Sequence, residues 1–197
     1  MTKQSTSVAK ALDETAVFDG FFAALADQDL ATLSLEHVAK AGKLPLAALR
    51  HHYPSLGHIL NAFSQSLNRQ MQAAISYDTQ DSKRDIYFDL LMTRLDALQP
   101  YRDGMKNLLK QLPSRPDLAL IQARAFQHGI DAMIEAADDF YPSWQVPFKK
   151  TGLAALYTRI LYAWRKDDST DLAKTMAVLD KALERTEHWI GKIPKIA

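Results

Sequence analysis

The amino-acid sequence predicts an all-α protein. Apolar residues recur at three- and four-residue spacings along most of the 197-residue chain, and alternating runs of β-branched residues do not compete with that pattern. Glycine is scarce, with seven residues, and the eight prolines cluster between the periodic segments. Because 47% of the residues are hydrophobic, the chain is long enough to build a sizeable core as one domain or as two small ones.

The charge and cysteine content restrict the partners and the compartment. A formal net charge of +1 provides no general attraction to nucleic acid or to an acidic membrane, so any such partner must meet a local patch. Cysteine is absent, which excludes disulfides and cysteine-ligated zinc. The first ten residues lack the apolar core of a signal peptide, and no apolar run approaches the ~20 residues of a spanning helix. We expect a cytoplasmic protein.

The N-terminal third predicts a helix-turn-helix. A first helix over residues 11–26 carries a stripe of valine, phenylalanine and leucine side chains. Residues 32–54 follow as two short helices around a turn at Gly42, with Thr32 or Ser34 capping the first and a first-turn proline opening the second. Two short helices around such a turn, preceded by a phenylalanine-rich helix, are the sequence form of a helix-turn-helix.

A second domain is predicted to follow this one. We place the domains at residues 1–54 and 55–197, with a long fourth helix over residues 55–75 connecting them. Ser82 caps a fifth helix, and Asp85 completes an approximate capping box. Apolar residues cover most of the circumference of the fifth helix, so we expect it at the centre of the second domain.

Four further helices complete the prediction, for about nine in all. They cover residues 103–112 and residues 117–137, then a segment that starts at Phe148 after an aromatic loop, and a last segment capped by Ser169 or Thr170. Leucines at near-heptad spacing in the last helix require a facing helix.

That facing helix has two candidate origins. In the first, the last two helices of two subunits form a two-fold four-helix contact, which makes the protein a homodimer. In the second, the ninth helix packs on the fifth and eighth helices of its own chain. The residues that the first arrangement places in the dimer interface are Leu172, Met176, Leu179 and Leu183.

The helix-turn-helix segment carries a family resemblance. Its pattern consists of Thr32, Val38, Ala39, Leu49, Arg50, Tyr53, Pro54 and Ser55. At these positions the chain resembles the TetR family of bacterial repressors, without insertion or deletion. The resemblance implies a transcriptional regulator that binds double-stranded DNA as a homodimer and responds to a ligand in its C-terminal domain. The residues expected at the DNA are Thr32, Lys43, Leu46, Ala47, Arg50, His51 and His52.

The same segment departs from the family at contact positions. Leu56 stands where the family has a phosphate-binding lysine, and Arg50 stands where it has a tyrosine. The first turn of the recognition helix offers Leu46, Ala47 and Ala48, which contact only thymine methyl groups. Through residue 60, five Lys and Arg residues face six Asp and Glu residues, a net charge of five minus six, or −1.

The C-terminal part carries a second resemblance. Residues 84–104 and 161–189 are similar to the lipid-binding accessory protein of coenzyme Q biosynthesis, a family that is itself TetR-like in fold. The resemblance implies an isoprenoid or other lipid between the helices and a surface for a partner protein. The alternative function is therefore a TetR-shaped lipid-binding accessory protein that no longer reads DNA.

A ligand pocket is one use of the large apolar side chains in the second domain, and plain core packing is the other. The candidates for the wall of a pocket that takes an apolar small molecule or lipid are Phe88, Met92, Phe126, Met133, Trp144, Phe148, Tyr157 and Trp164.

The histidines do not predict a metal site. His51, His52 and His58 lie close in sequence, but adjacent residues on a helix point about 100° apart, and neither cysteine nor carboxylate completes a ligand set. We expect no metal and no other cofactor.

An enzyme is not predicted either. The pairs Asp138-Asp139 and Asp167-Asp168 fall in predicted loops, where solvated turn carboxylates explain them better than an acid/base dyad. Gly-rich phosphate loops, nucleophile elbows and metalloprotease motifs do not occur.

The C-terminal tail is amphipathic. Residues 189–197 interleave a tryptophan and isoleucines with Lys192 and Lys195. Such a tail either touches a membrane surface as a peripheral contact or folds back on its own domain.

Overall fold

The computed structural model describes residues 12–74, 82–137, 146–169 and 171–190, without the side chains of residues 186–190. These residues form nine α-helices and two 3-10 turns and contain no strand, which confirms the all-α prediction. The helices are α1 (Glu14–Asp27), α2 (Leu35–Ala41), α3 (Leu46–His52), α4 (Leu56–Ala73), α5 (Lys83–Leu98), α6 (Arg102–Gln111), α7 (Pro116–Ala136), α8 (Val146–Lys166) and α9 (Ala173–Ile190).

The chain divides into two compact units. The first contains the described residues up to Phe63 together with Asp103–Gln122, and the second contains Ser64–Arg102 and the described residues from Ala123 onward. The sequence-based boundary after residue 54 therefore differs from the division by contacts, because nearly all of α6 and the first turns of α7 belong with the helix-turn-helix. Spacing along the chain does not encode such long-range packing.

An aromatic cluster forms the core of the first unit. Phe18 and Phe22 of α1 each meet Phe63 of α4 edge to face, with ring centroids 5.2 and 4.7 Å apart. Phe21 and Leu25 of α1 are fully buried. Aromatic pairs in this geometry add to the stability that area burial supplies, so the phenylalanine stripe seen in the sequence anchors α1 against α4.

Helix α6 belongs to this unit because it packs closely on α1. A Cβ atom added at Gly104 would lie 2.5 Å from the carbonyl oxygen of Phe22. The side-chain amide of Asn107 donates to the carbonyl oxygens of Leu25 and Ala26 at 3.1 and 3.0 Å. These carbonyls lie at the end of α1, where the helix itself provides no donor.

Helix α5 packs against α8 and α9 within the second unit. Its start matches the expected cap: Ser82 Oγ accepts from the Asp85 amide at 3.2 Å and donates to the Asp85 carboxylate at 2.7 Å. The residues buried on α5 are Tyr87, Leu90, Leu91, Arg94, Leu95 and Leu98.

The corner between α8 and α9 contains a buried carboxylate. Asp167 is 1% exposed and accepts from the amide and hydroxyl of both Ser169 and Thr175. Burial alone would raise the pKa of Asp167, but these donors outweigh it and hold that pKa well below its usual range. The expectation of a solvated turn carboxylate is wrong for Asp167. Its donor Thr175 lies on the next helix, α9, and the sequence around Asp167 does not indicate this contact. Its neighbour Asp168 has an 87% exposed side chain.

The leucine stripe of α9 faces its own chain. Leu172, Leu179 and Leu183 are 4%, 0% and 5% exposed, and α9 contacts α5 and α8. Met176 is half-buried. These three leucines therefore pack within their own chain. Heptad spacing alone does not specify whose helix faces such a stripe, and the assignment of the four residues to a dimer interface stays a prediction.

Candidate nucleic-acid interface and ligand site

The start of α2 is capped by Ser34. The Ser34 amide donates to Nδ1 of His37 at 3.2 Å, which ties the cap to the first helical turn. Thr32, the other candidate for the cap, is exposed and donates from its hydroxyl to the carbonyl oxygen of Asp29 at 3.2 Å. Thr32 therefore closes the preceding turn and leaves its side chain at the surface.

The turn between α2 and α3 contains one left-handed residue. Lys43 has φ 52°, and Gly42 before it has φ −81°. A Cβ atom added at Gly20 of α1 would lie 2.8 Å from the Cα of Gly42, so the backbones of α1 and the turn are in close contact. This contact holds the turn, and the start of α3 after it, against α1.

Helix α3 is anchored by one residue and exposes most of the others. Leu49 is fully buried, and Leu46 is half-buried. The predicted DNA-contacting side chains that are exposed on or just before α3 are Lys43, Ala47, Arg50, His51 and His52. The structure thus brings six of the seven predicted residues onto one short helix and its preceding turn, and five of these six are exposed.

Arg50 already has a partner on α2. Its Nη2 donates to the carboxylate of Glu36, and the two side chains are 56% and 49% exposed. The pKa of Glu36 is lowered, first by a hydrogen bond from the Ser34 side chain and to a smaller degree by Arg50. Exposed ion pairs of this kind contribute little to stability, so a phosphate group can compete with Glu36 for Arg50.

The histidines near α3 make local contacts. His52 Nδ1 lies 3.0 Å from the carbonyl oxygen of Ala48, and its ring meets that of His51 edge to face at 5.2 Å. His58 Nδ1 lies 2.8 Å from the hydroxyl of Ser55, next to the start of α4. Across the described part of the chain, no three side chains of metal-binding type lie together.

The candidates for a ligand-pocket wall lie in different environments. Met133, Tyr157 and Trp164 are buried, whereas Phe148 is 76% exposed and does not contribute to an enclosed surface. Three more candidates are half-buried, namely Phe88, Met92 and Phe126.

Trp164 is part of the framework of the second unit. Its ring nitrogen donates to the side-chain oxygen of Gln99 at 2.9 Å, and the guanidinium of Arg102 lies 5.8 Å from its ring centre. Arg102 also donates to the carbonyl oxygens of Trp164 and Asp167 at the end of α8. These bonds tie the α8–α9 corner to the 3-10 turn that follows α5.

Some sequence-based predictions lie outside the described residues. They concern Trp144, the pair Asp138-Asp139, the cap at Thr170 and the tail beyond Ile190.

One residue of the second unit was not singled out from the sequence. Arg94 on α5 is 3% exposed, its Nε donates to the hydroxyl of Tyr157 at 2.9 Å, and its Nη1 donates to the side-chain oxygen of Asn68. The available signal was the spacing: Leu91 and Leu98, three residues before and four residues after Arg94, are both buried. An arginine at a core position of an apolar stripe indicates a buried cation.

The fold and this geometry define a class: an all-α protein with a helix-turn-helix unit and a second helical unit. Solved structures of this architecture include TetR-family transcriptional regulators. A TetR regulator from Nitrosomonas europaea aligns with a TM-score of 0.71 at 16% identity, covering 89% of this chain and 98% of that one.

Two further solved structures are similar. A transcriptional regulator from Rhodococcus sp. has a TM-score of 0.63 at 15% identity and covers 93% of this chain and 100% of its own. NalD, the secondary repressor of the MexAB-OprM multidrug efflux pump in Pseudomonas aeruginosa, aligns with a TM-score of 0.54 at 17% identity. The alignment covers 89% of this chain and 95% of NalD. At such identities the likeness establishes that the chain has the TetR-like fold.

Sequence comparison adds no relative. No protein-family model matches the chain, and no curated protein matches it. None of the helices in the described ranges combines the length and the hydropathy needed to cross a bilayer.

Proposed function

We propose that this protein is a ligand-responsive transcriptional regulator that binds double-stranded DNA as a homodimer through α2 and α3. The observation that carries the proposal is the short helix α3, which is held by buried Leu49 and exposes Arg50 and His51. A helix presented in this way fits the major groove.

The exposed side chains favour contacts with the DNA backbone over contacts with base edges. Lys43 and Arg50 carry charge that phosphates attract, and Thr32 offers a hydroxyl. Ala47 provides an apolar contact for a thymine methyl group. Binding of this type releases counterions, so we expect the affinity to fall steeply as the salt concentration rises.

The ligand is proposed to act through α4, which contributes residues to both units. In a homodimer the two α3 helices must be about 34 Å apart to enter successive major grooves. A ligand that shifts α4 changes this separation, which couples ligand binding to DNA release.

The first test is binding of the full chain to a pool of its own genomic DNA fragments at two salt concentrations. We expect selective retention of a fragment that weakens at the higher salt concentration. Arg50→Glu should lower the affinity at least about tenfold, with an unchanged circular-dichroism spectrum and melting curve.

Arg124→Glu is the matched control, because Arg124 is an exposed arginine on α7, outside the helix-turn-helix unit. Equal affinity of wild type and Arg50→Glu would contradict the assignment of Arg50. A complete lack of retention at low salt would contradict DNA binding itself.

A lipid-binding accessory protein that does not read DNA is the second candidate. It is favoured by the apolar start of α3, by the pairing of Arg50 with Glu36, and by Leu56 in place of a phosphate-binding lysine. Solvent extraction of the purified protein followed by mass spectrometry tests it. A protein that is free of lipid, takes up none and retains DNA rules it out.

A further inference from the structure

We infer that the second unit binds an apolar molecule that carries a carboxylate, and that the guanidinium of Arg94 holds this carboxylate. The inference rests on the proposed function in one respect, since it names the chemical class of the regulatory ligand. The evidence for it lies entirely in side chains of the second unit.

Arg94 is a buried cation without an acidic partner among the described residues. It is 3% exposed, and its two hydrogen bonds go to the neutral oxygens of Tyr157 and Asn68. A guanidinium has five N–H bonds and is not deprotonated in proteins. Two of the five are used here, so three remain for another acceptor.

The neighbours of this cation solvate it only in part. The guanidinium lies 5.6 Å from the ring centre of Tyr157, whose face offers weak negative potential. Burying a charge is unfavourable unless a counter-charge and hydrogen bonds compensate for it. A bound carboxylate supplies both, because its two oxygens match the fork of a guanidinium.

The surroundings select an apolar body for the ligand. Leu90, Leu91 and Leu98 share the buried side of α5 with Arg94. The ring of Phe126 on α7 stacks on that of Tyr157 at 5.3 Å and 11°, and it is half-buried. A small inorganic anion has no apolar surface to bury against these side chains, whereas an alkyl or aromatic carboxylate packs against them.

The backbone of α7 lies directly against the guanidinium at Gly129. A Cβ atom added at Gly129 would lie 2.8 Å from Nη2 and 3.3 Å from Cζ of Arg94. Any larger residue at position 129 would therefore crowd the part of Arg94 that has no hydrogen-bond partner among the described residues.

The experiment is calorimetric titration of the full chain with decanoate, decan-1-ol and acetate. We expect decanoate to bind at least about tenfold more tightly than decan-1-ol, since a charge-assisted bidentate pair is lost in the alcohol, and acetate to bind most weakly. Arg94→Gln should abolish the preference for decanoate. Arg124→Gln, which removes an exposed arginine from α7, should retain it.

A glycine pair keeps the inference testable if Arg94→Gln does not fold. Gly129→Ala should weaken decanoate at least about tenfold, because the methyl group crowds Nη2. Gly152→Ala on α8, where an added Cβ has no heavy atom within 4 Å, makes the same change in helix propensity and should leave the affinity unchanged. Undiminished decanoate binding by Gly129→Ala overturns the inference.

The other outcomes of these titrations also test the inference. Equal binding of decanoate and decan-1-ol overturns the role of the charge, and equal binding of acetate and decanoate overturns the apolar body. DNA retention without decanoate binding leaves the proposed function intact and refutes this inference. Decanoate binding that depends on Arg94, without DNA retention, supports this inference and refutes the proposed function.

Discussion

At the scale of single residues, Lys43 bears a backbone cost. Its φ of 52° lies in the left-handed region, which costs a residue with a Cβ atom about 1 kcal/mol or more. The lysine therefore combines an unfavourable conformation with an exposed charge beside α3, and two substitutions separate these properties.

Lys43→Gly should raise the free energy of unfolding by about 0.5–1 kcal/mol, as measured by urea denaturation. Lys43→Ala removes the same charge but keeps the Cβ atom, so its stability should stay near that of wild type. Both variants should weaken DNA binding alike and reduce its salt dependence by about one phosphate contact. A stability gain of equal size in both would show that charge, and not conformation, is responsible.

The ionisation of Asp167 contributes to the stability of the second unit. Its pKa is lowered in the folded chain, so its carboxylate stabilises the fold above the unfolded pKa of about 3.9 and loses this effect as the pH falls below that value. Asp167→Asn should lower the free energy of unfolding at pH 7 by about 2 kcal/mol, because buried charge-assisted hydrogen bonds are lost.

Urea denaturation at pH 7 and pH 3 measures the linkage. The difference in stability between wild type and Asp167→Asn should shrink at pH 3, because the carboxylate is then largely protonated in the unfolded chain while it stays ionised in the folded chain. Asp168→Asn, which alters the exposed neighbour, is the control and should stay within about 0.5 kcal/mol of wild type. A difference that is the same at both pH values would contradict the linkage.

At the scale of the elements, the contact between α1 and the helix-turn-helix turn depends on two glycines. An added Cβ at Gly20 would lie 2.8 Å from the Cα of Gly42 and 2.8 Å from the carbonyl oxygen of Val38. Both are backbone atoms, so the clash is relieved only if α1 and the turn move apart.

Gly20→Ala should therefore destabilise the chain by about 1–3 kcal/mol, although alanine is the better helix former. The same variant should weaken DNA binding because α3 changes its orientation. Gly152→Ala offers the contrast, since its new methyl group meets no neighbour and only the gain in helix propensity remains. Thermal melts compare the two, and a stabilised Gly20→Ala would refute the close contact.

At the scale of the whole molecule, the proposed recognition of DNA requires a homodimer. The leucines of α9 are occupied within the chain, so the proposed contact between two copies uses the outward sides of α8 and α9. There Tyr162 is 54% exposed, and Ala173 and Ala177 are exposed small residues that allow two helices to approach closely.

Ala177→Glu should convert the dimer to a monomer in sedimentation-velocity experiments, because a buried and unpaired carboxylate is costly at an interface. Ala123→Glu makes the same change at an exposed alanine of α7 and should leave the dimer intact. The monomeric variant should keep its helical spectrum and lose DNA retention. A dimer that survives Ala177→Glu would move the interface to another surface.

The features that could be predicted are local ones. The cap at Ser82, the turn at Gly42 and the apolar side of α3 depend on residues within one or two helical turns of each other, and a linear pattern records such relations. The burial of Asp167 could not be predicted in this way, because its donor Thr175 lies in the next helix. Arg94 is a similar case, since its partners are 26 and 63 residues away.

The sequence by itself determined which segments are helical, where most helices begin, and that two short helices flank a tight turn. Periodicity and capping are properties of neighbouring residues, so they can be read without knowledge of the fold. Only the tertiary structure decided that the α9 leucines face α5 and α8, that α6 belongs with the first unit, and that Arg50 bonds to Glu36. An apolar or charged side is complementary to many partners, and only packing in three dimensions selects one of them.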